Sequence, residues 1–286
     1  MSQSISQAPI PCIFVSDLHG RINRYENLLH LLAEESPSAL FLGGDLLPHS
    51  IEGDFLTDFF VPAFSDLKRQ LGSSYPTVFL ILGNDDPRSL EPTVLEGEHA
   101  GLWEYIHNRR TTFHGTAVYG YSCSPPPPFP LKDWERYDVS RYCDPGCISP
   151  EEGIRTVPVD ETDVKWGTVK NDLEQLTGAE SLDAAVILFH SPPHDTPLDV
   201  AALDGKMIDH VPLDPHVGSI AVRRFIETRQ PRVTLHGHIH ESARLTGNWK
   251  TKLGRTVCLS AAHDGPELAV VRFDLASPDN ATRDLL

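Results

Sequence analysis

Five short polar clusters each follow an apolar run, and each carries a side chain able to hold a cation. Asp17 and His19 follow "IPCIFV", Asp45 follows "SALFLGG", and Asn84 with Asp85 follows "TVFLILG". His190 follows "AAVILF", and His238 with His240 follows "RVTLHG". Leaving Asp85 aside, Asp17, His19, Asp45, Asn84, His190, His238 and His240 form a nitrogen and oxygen donor set without a thiol. Seven donors exceed what one tetrahedral ion takes, so the set points to two ions sharing a bridge. Each cluster alone has a plainer reading. Asp45 after Gly43 and Gly44 suits a turn or helix cap, Asn84 after Gly83 suits a turn, and His190 suits a satisfied strand-end histidine. Taken together, coincidence would have to fill five strand ends in turn.

A donor set so widely spread along the chain needs a frame that brings its members together, and the apolar runs supply one. Each run is short and unbroken, as expected of a strand covered on both faces. Between them lie helical patterns. "RINRYENLLHLLAEE" sets Tyr25, Leu28, Leu29 and Leu32 along one stripe, and "DFLTDFFVPAFSDLKRQL" and "SIAVRRFIETRQ" read similarly. Pro62 is expected to kink or divide the second of these. "TAVYGYS", "TVCLSAA" and "ELAVVRFDL" read as further strands, the last two as an antiparallel pair because little helix separates them. The fold class is therefore α/β: two mixed sheets packed together between helices. A Rossmann domain is the rival, but no G-x-G-x-x-G follows the first strand. Open α/β sheets place ligands beyond the carboxyl ends of their strands, which is where the seven donors fall.

The ordered motifs "DLH", "GD", "GND", "FH" and "GHIH" resemble those of the calcineurin-like metallophosphoesterase family over nearly the whole chain. The resemblance implies a two-sheet β-sandwich flanked by helices and two divalent ions. It implies that Asp17, His19 and His240 hold one ion, that Asn84, His190 and His238 hold the other, and that Asp45 bridges both. His236 matches no ligand of the pattern and is expected to be a supporting or core residue. The implied cofactors are two ions drawn from Mn, Fe, Zn, Co and Ni, since this donor set accepts any of them. The implied activity is phosphoester hydrolysis by a metal-bridging hydroxide, with a phosphodiester as the favoured substrate.

One position departs from the pattern. Most family members have histidine directly after the asparagine, where this chain has Asp85. A carboxylate beside two cations stays ionised at neutral pH and cannot donate a proton. Asp85 is thus a catalytic-site residue but not the general acid, with a role in orienting Asn84 or a water. His194 and His49 are the candidate proton donors, and exposed loop histidines are their plainer reading.

The stretch at about 122–163 breaks the rhythm of strands and helices. It is rich in proline and aromatics and reads as an ordered insertion, a candidate lid, within a single domain spanning 1–286. Trp134, Tyr137 and Tyr142 offer surface to bury. Arg136 and Arg141 could grip a phosphate or carboxylate, and Trp134 or Tyr137 could stack on a base. Anchoring of the insertion is the competing reading. The start of "SIAVRRFIETRQ", near Gly218 and Ser219, could bind an anion, or Ser219 could simply cap the helix.

Composition narrows the function classes. The formal net charge is −16 with no Lys- or Arg-rich run, which argues against a nucleic-acid polymer and for a small phosphoester. No stretch is apolar enough to cross a bilayer, and no signal-peptide pattern opens the chain, so the expectation is a cytoplasmic protein. None of the five cysteines forms a C-x-x-C pair; Cys12 and Cys258 lie in apolar runs. The competing function is a metal-binding or protein-interaction module with this fold and little catalysis. Oligomeric state is not legible.

Overall fold

The computed structural model describes residues 9–48 and 54–286. Strand and helix alternate from the start. β1 (Pro11–Val15) leads to α1 (Ile22–Glu35), β2 (Ala39–Gly43) to α2 (Val61–Leu71), β3 (Thr77–Ile81) to α3 (Glu91–His99), and β4 (Glu104–Tyr105) follows. These four strands pair in parallel. A hairpin of β5 (Arg109–Phe113) and β6 (Thr116–Tyr121) opens a second sheet. After α4 (Glu161–Trp166) and α5 (Val169–Thr177), β7 (Val186–Phe189) pairs parallel to β6. A small hairpin, β8 (Met207–Ile208) and β9 (Val211–Pro212), precedes α6 (Ile220–Arg229) and β10 (Val233–His236), which lies parallel to β7. Then come α7 (Ser242–Thr246), β11 (Lys250–Leu253), β12 (Thr256–Ser260), β13 (Ala269–Asp274) and β14 (Thr282–Leu285). Two six-stranded sheets result, ordered β14-β13-β1-β2-β3-β4 and β11-β12-β10-β7-β6-β5. No helix of the described residues is long and apolar enough to cross a membrane.

Side-chain alternation explains why the sheets stack. Cys12 and Phe14 of β1, Phe41 of β2 and Phe79 of β3 share one buried cluster with Val186, Leu188, Val233, Leu235, Val257 and Leu259 of the second sheet. Phe41 stacks on Phe79 with ring centroids 5.1 Å apart. The alternate residues, Ile13, Val15, Leu40 and Leu42, turn outward and bury under helical side chains such as Leu28 and Leu32 of α1. Both faces are covered, which is why these strands read as unbroken apolar runs. The mixed α/β sandwich is therefore as the strand pattern indicated.

Two details differ from the sequence reading. β12 and β13 do not pair with each other. β12 runs antiparallel to β11 and parallel to β10, whereas β13 crosses to the first sheet beside β1. The physical reason is a tight turn in "KLGRTV": Gly254 adopts φ +62°, and Leu253 faces Thr256 across a two-residue loop. That hairpin takes the antiparallel edge of β12. Tyr142 is the second difference, being largely exposed rather than buried. Pro62 falls in the first turn of α2, directly after a turn of π-helix at Leu56–Phe60, so the helical stretch divides there.

Within 122–163 the backbone is irregular but tied down. Ser124 bridges to Glu135, Leu131 to Ile154, and Tyr137 to Thr168. Trp134 is buried and its indole N–H donates to the Asp86 carbonyl at 2.7 Å. Asp138 fills the start of α6, accepting from Ile220 N (2.7 Å), Ala221 N (3.2 Å) and the Ser219 hydroxyl (2.5 Å). Ser219 itself caps Val222 N. A helix start that sequence alone left open to an outside anion is thus occupied by the protein's own carboxylate.

Candidate metal centre

All five polar clusters sit at the carboxyl ends of parallel strands, so the fold delivers them to one edge of the sandwich. Backbone bonds lock the loops together. Asp17 N donates to Gly44 O (3.0 Å), His19 N to Asp45 O (2.8 Å), and Gly237 N to His190 O (2.9 Å). Gly44 shows why this packing needs glycine. Its φ is +91°, and a Cβ there would lie 2.8 Å from the His190 imidazole. Asp17, His19, Asp45 and His238 also adopt positive φ, an unfavourable region for residues bearing side chains. Four such residues in one place mark a site whose geometry the surrounding structure enforces.

Two groups of side chains place one donor atom each within 4.8 Å of one another: Asp17, His19, Asp45 and His240, and Asp45, His190 and His238. Asp45 belongs to both. Asn84 joins the second group through its Oδ1, 2.9 Å from His190 Nε2. His190 Nε2 is also 3.3 Å from Asp45 Oδ2, and its Nδ1 is fixed by the Gly43 carbonyl at 2.9 Å. His19 Nε2 and His240 Nε2 face each other at 3.1 Å, and His240 Nε2 is 3.3 Å from Asp17 Oδ1.

The electrostatics follow from burial and proximity. For Asp45, burial opposes ionisation, but the His190 charge and hydrogen bond prevail and hold its carboxyl well below the usual range. Asp17 behaves likewise: burial pushes up, while His240 pulls its pKa down to about 2. Burial pushes His190 down, but Asp45 raises it to about 10. Burial and the neighbouring His190 push His238 down to about 3.

Do these residues suit a cation? Asp17 Oδ2 is buried and has no hydrogen-bond partner among the described residues. An anionic oxygen stranded in that way is costly unless a cation meets it. Two imidazole nitrogens turned toward each other, together with carboxylate and amide oxygens, form the donor chemistry of a divalent transition-metal site. The residues fit.

Asp85 stands at the rim. Its backbone N–H donates to Asp45 Oδ1 (2.8 Å), and its Oδ1 accepts from Asn84 Nδ2 (3.0 Å). That bond turns the Asn84 oxygen toward the second group. His194 is placed differently from the seven. Its ring pairs with Asp199 at 3.7 Å and stands against His216. His49 lies outside the described residues. His236 is fully buried, with Nδ1 3.0 Å from the Ser191 carbonyl and Nε2 2.8 Å from the Thr234 hydroxyl, in a supporting place.

The four residues expected to touch substrate are otherwise engaged. Arg136 makes two 2.8 Å bonds to Asp163, with its Nε 2.7 Å from Asp172. Arg141 pairs with Glu151, and Tyr137 donates to the same carboxylate at 2.7 Å. Trp134 and Tyr137 are buried and have no face free for a base. These side chains anchor the insertion. The physical reason is that each arginine of "WERYDVSR" meets a carboxylate supplied by a later segment, Glu151 for Arg141 and Asp163 with Asp172 for Arg136.

Two residues that support the site were not singled out from sequence. Asp86 is buried and accepts from Gly83 N (2.9 Å), Leu46 N (3.1 Å) and Leu47 N (2.8 Å), joining the loops after β2 and β3. Burial and the charge of Asp45 raise its pKa to about 7. Arg24 is buried on α1 and donates to the Asp17 carbonyl at 2.5 Å and the Gly265 carbonyl at 2.6 Å. Its signal was present: Arg24 lies four residues before Leu28, on the stripe that packs inward.

Comparison with known proteins adds the following. The family model for calcineurin-like phosphoesterases matches residues 10–242. Among solved structures, TT1561 of Thermus thermophilus is 17% identical with a TM-score of 0.55, over 97% of this chain and 99% of that one. A dimetal phosphatase from Danio rerio is 13% identical with a TM-score of 0.52, over 93% and 96%. Phosphopantetheinyl hydrolase from Mycobacterium tuberculosis is 14% identical with a TM-score of 0.51, over 88% and 89%. At these identities the likeness is one of fold. No curated protein matches the chain.

Proposed function

The chain belongs to the calcineurin-like phosphoesterase family of metal-dependent phosphoester hydrolases, and on that premise we propose that it cleaves small phosphodiesters at a two-metal centre. The observation carrying this reading is the convergence of seven donors in two groups that share Asp45. In the proposal Asp17, His19 and His240 hold one ion, Asn84, His190 and His238 hold the other, and Asp45 serves both. Bound divalent ions would supply Lewis acidity and lower the pKa of a coordinated water toward about 7.

The chain's own residues do the rest. The Gly43 carbonyl holds the proton on His190 Nδ1, so that Nε2 is the nitrogen turned to the cluster and would present a lone pair to a cation that displaces its proton. Asp85 holds the Asn84 amide with its oxygen inward. Asp86 and Arg24 keep the loops closed against each other. Asp85 also sets the preference among esters. Its negative charge beside the centre repels a doubly charged monoester more than a singly charged diester. With no histidine at position 85, proton delivery to the leaving group is weak, so esters with good leaving groups react fastest.

Turnover of bis(4-nitrophenyl) phosphate and 4-nitrophenyl phosphate, with added Mn²⁺, tests the reading. The diester should show a kcat/KM about tenfold or more higher, and a chelator should abolish both activities. Asp85→Asn should keep its metal and still turn over the diester. Faster monoester cleavage would overturn the diester assignment. Loss of all turnover in metal-replete Asp85→Asn would overturn the role given to Asp85.

A further inference from the structure

A cavity of about 280 Å³ lies on the outer side of the second sheet between the insertion, α4 and α5. Its wall includes Arg88, Arg136, Arg155 and His107, together with Lys132 and the carboxylates Asp133, Glu135, Asp163 and Asp172. The charges balance by number, but not by pairing. Asp163 takes Arg136, and Asp172 lies against Arg136 while accepting from the Tyr121 hydroxyl at 2.6 Å. Asp133 accepts the backbone N–H of Arg88 (2.8 Å) and of Thr156 (2.9 Å). Glu135 pairs with Lys132, both side chains fully withdrawn from solvent. Arg88 reaches Glu91 at 3.3 Å and lies over the Trp134 ring. Asp163 and Asp172 are thus committed to Arg136 and Glu135 to Lys132, although Glu135 Oε1 has no hydrogen-bond partner among the described residues, and Asp133 is held by neutral donors alone.

Arg155 remains. It is half-buried and has no hydrogen bond or ion pair among the described residues. His107 has a donor to spare as well. Its Nδ1 accepts from Ser122 N at 3.0 Å, which places the ring proton on Nε2, and that N–H has no acceptor among the described residues. Asp133 and Glu135 lie near enough to act on Arg155 by charge, yet neither forms an ion pair with it, and a partly buried guanidinium with open N–H groups beside a donor without an acceptor is complementary to an oxyanion. The concavity has the volume for a small one.

We propose that this cavity binds a small oxyanion, a phosphate or carboxylate group, gripped by Arg155 and by the Nε2–H of His107. Arg88 and Arg136 add positive potential although each is paired. The cavity wall contains none of the seven donors, and the proposal does not depend on the hydrolytic reading.

Calorimetric titration of the full-length, metal-loaded chain with inorganic phosphate, and separately with succinate, tests it. Wild type should bind at least one of them with a component that Arg155→Ala weakens tenfold or more and Arg155→Lys partly retains. His107→Gln should weaken the same component several-fold, which guards against a folding defect confined to the Arg155 variants. Phosphate held at the metal centre contributes equally to wild type and variants, so the difference isolates the cavity. The ligand that responds identifies phosphate or carboxylate as the source. Binding of neither ligand, or equal binding by Arg155→Ala, would overturn the proposal.

Discussion

The strand-end cluster and the 122–163 insertion are built from the same residue types and use them in opposite ways. At the strand ends, like groups face like. Two imidazole nitrogens stand 3.1 Å apart, and a buried carboxylate oxygen of Asp17 has no protein partner among the described residues. In the insertion, opposite charges meet. Arg136 lies between Asp163 and Asp172, Arg141 pairs with Glu151, and Asp138 fills a helix start. Chemistry is signalled by valences the fold leaves unmet, and structural work by valences the fold closes. Residue type alone does not separate the two. The insertion is not closed throughout: Arg155 keeps its valence open, and Ser122 Oγ, Ser124 Oγ and Glu135 Oε1 are buried without a hydrogen-bond partner among the described residues.

This contrast can be broken from either side. The largest effect belongs to the cluster. Asp45→Ala should lower metal-dependent turnover by more than about 100-fold, beyond the loss expected for an outer hydrogen-bond partner, while circular dichroism stays native. Turnover within tenfold of wild type would place the chemistry elsewhere. Next comes His107, which burial, then Arg88, Arg136 and Arg109, push down to about 3. An unfolded histidine takes a proton near 6.5, so between about pH 6.5 and 3 the unfolded chain binds more protons than the folded one. Stability should therefore fall as pH drops through that window, by at most about 1.4 kcal/mol per unit from this residue. Denaturant midpoints at several pH values should show a shallower slope for His107→Gln than for wild type. Equal slopes would contradict the burial argument. The smallest effect belongs to the insertion's anchors. Asp138→Ala should cost about 1–2 kcal/mol of stability through the lost helix cap, with kcat unchanged. A fall in kcat at unchanged metal content would mean the insertion takes part in turnover.

Much of this was legible in the sequence because the relevant signals are local. Unbroken apolar runs marked β1, β2, β3, β7 and β10, and parallel strands end at one edge, so a donor after each run had to lie near the others. Asp17, His19, Asp45, Asn84, His190, His238 and His240 do lie together. What was not legible depended on long-range choice of partner. β12 and β13 each look like a strand, yet pairing was decided by the Gly254 turn and by the free edge beside β1. The arginines of "WERYDVSR" looked available because nothing near them in sequence announces that Asp163 and Asp172 will arrive. Asp86 went unread because its work is done by three backbone amides, two of them about forty residues away.

The central claim is that two cations sit among these seven side chains. Crystals grown with Mn²⁺ and measured at the manganese absorption edge test it directly. The account predicts two anomalous peaks about 3.5–4 Å apart with Asp45 between them, Asp17, His19 and His240 around one, and Asn84, His190 and His238 around the other. No peak at the cluster, or peaks bound by other residues, would contradict it.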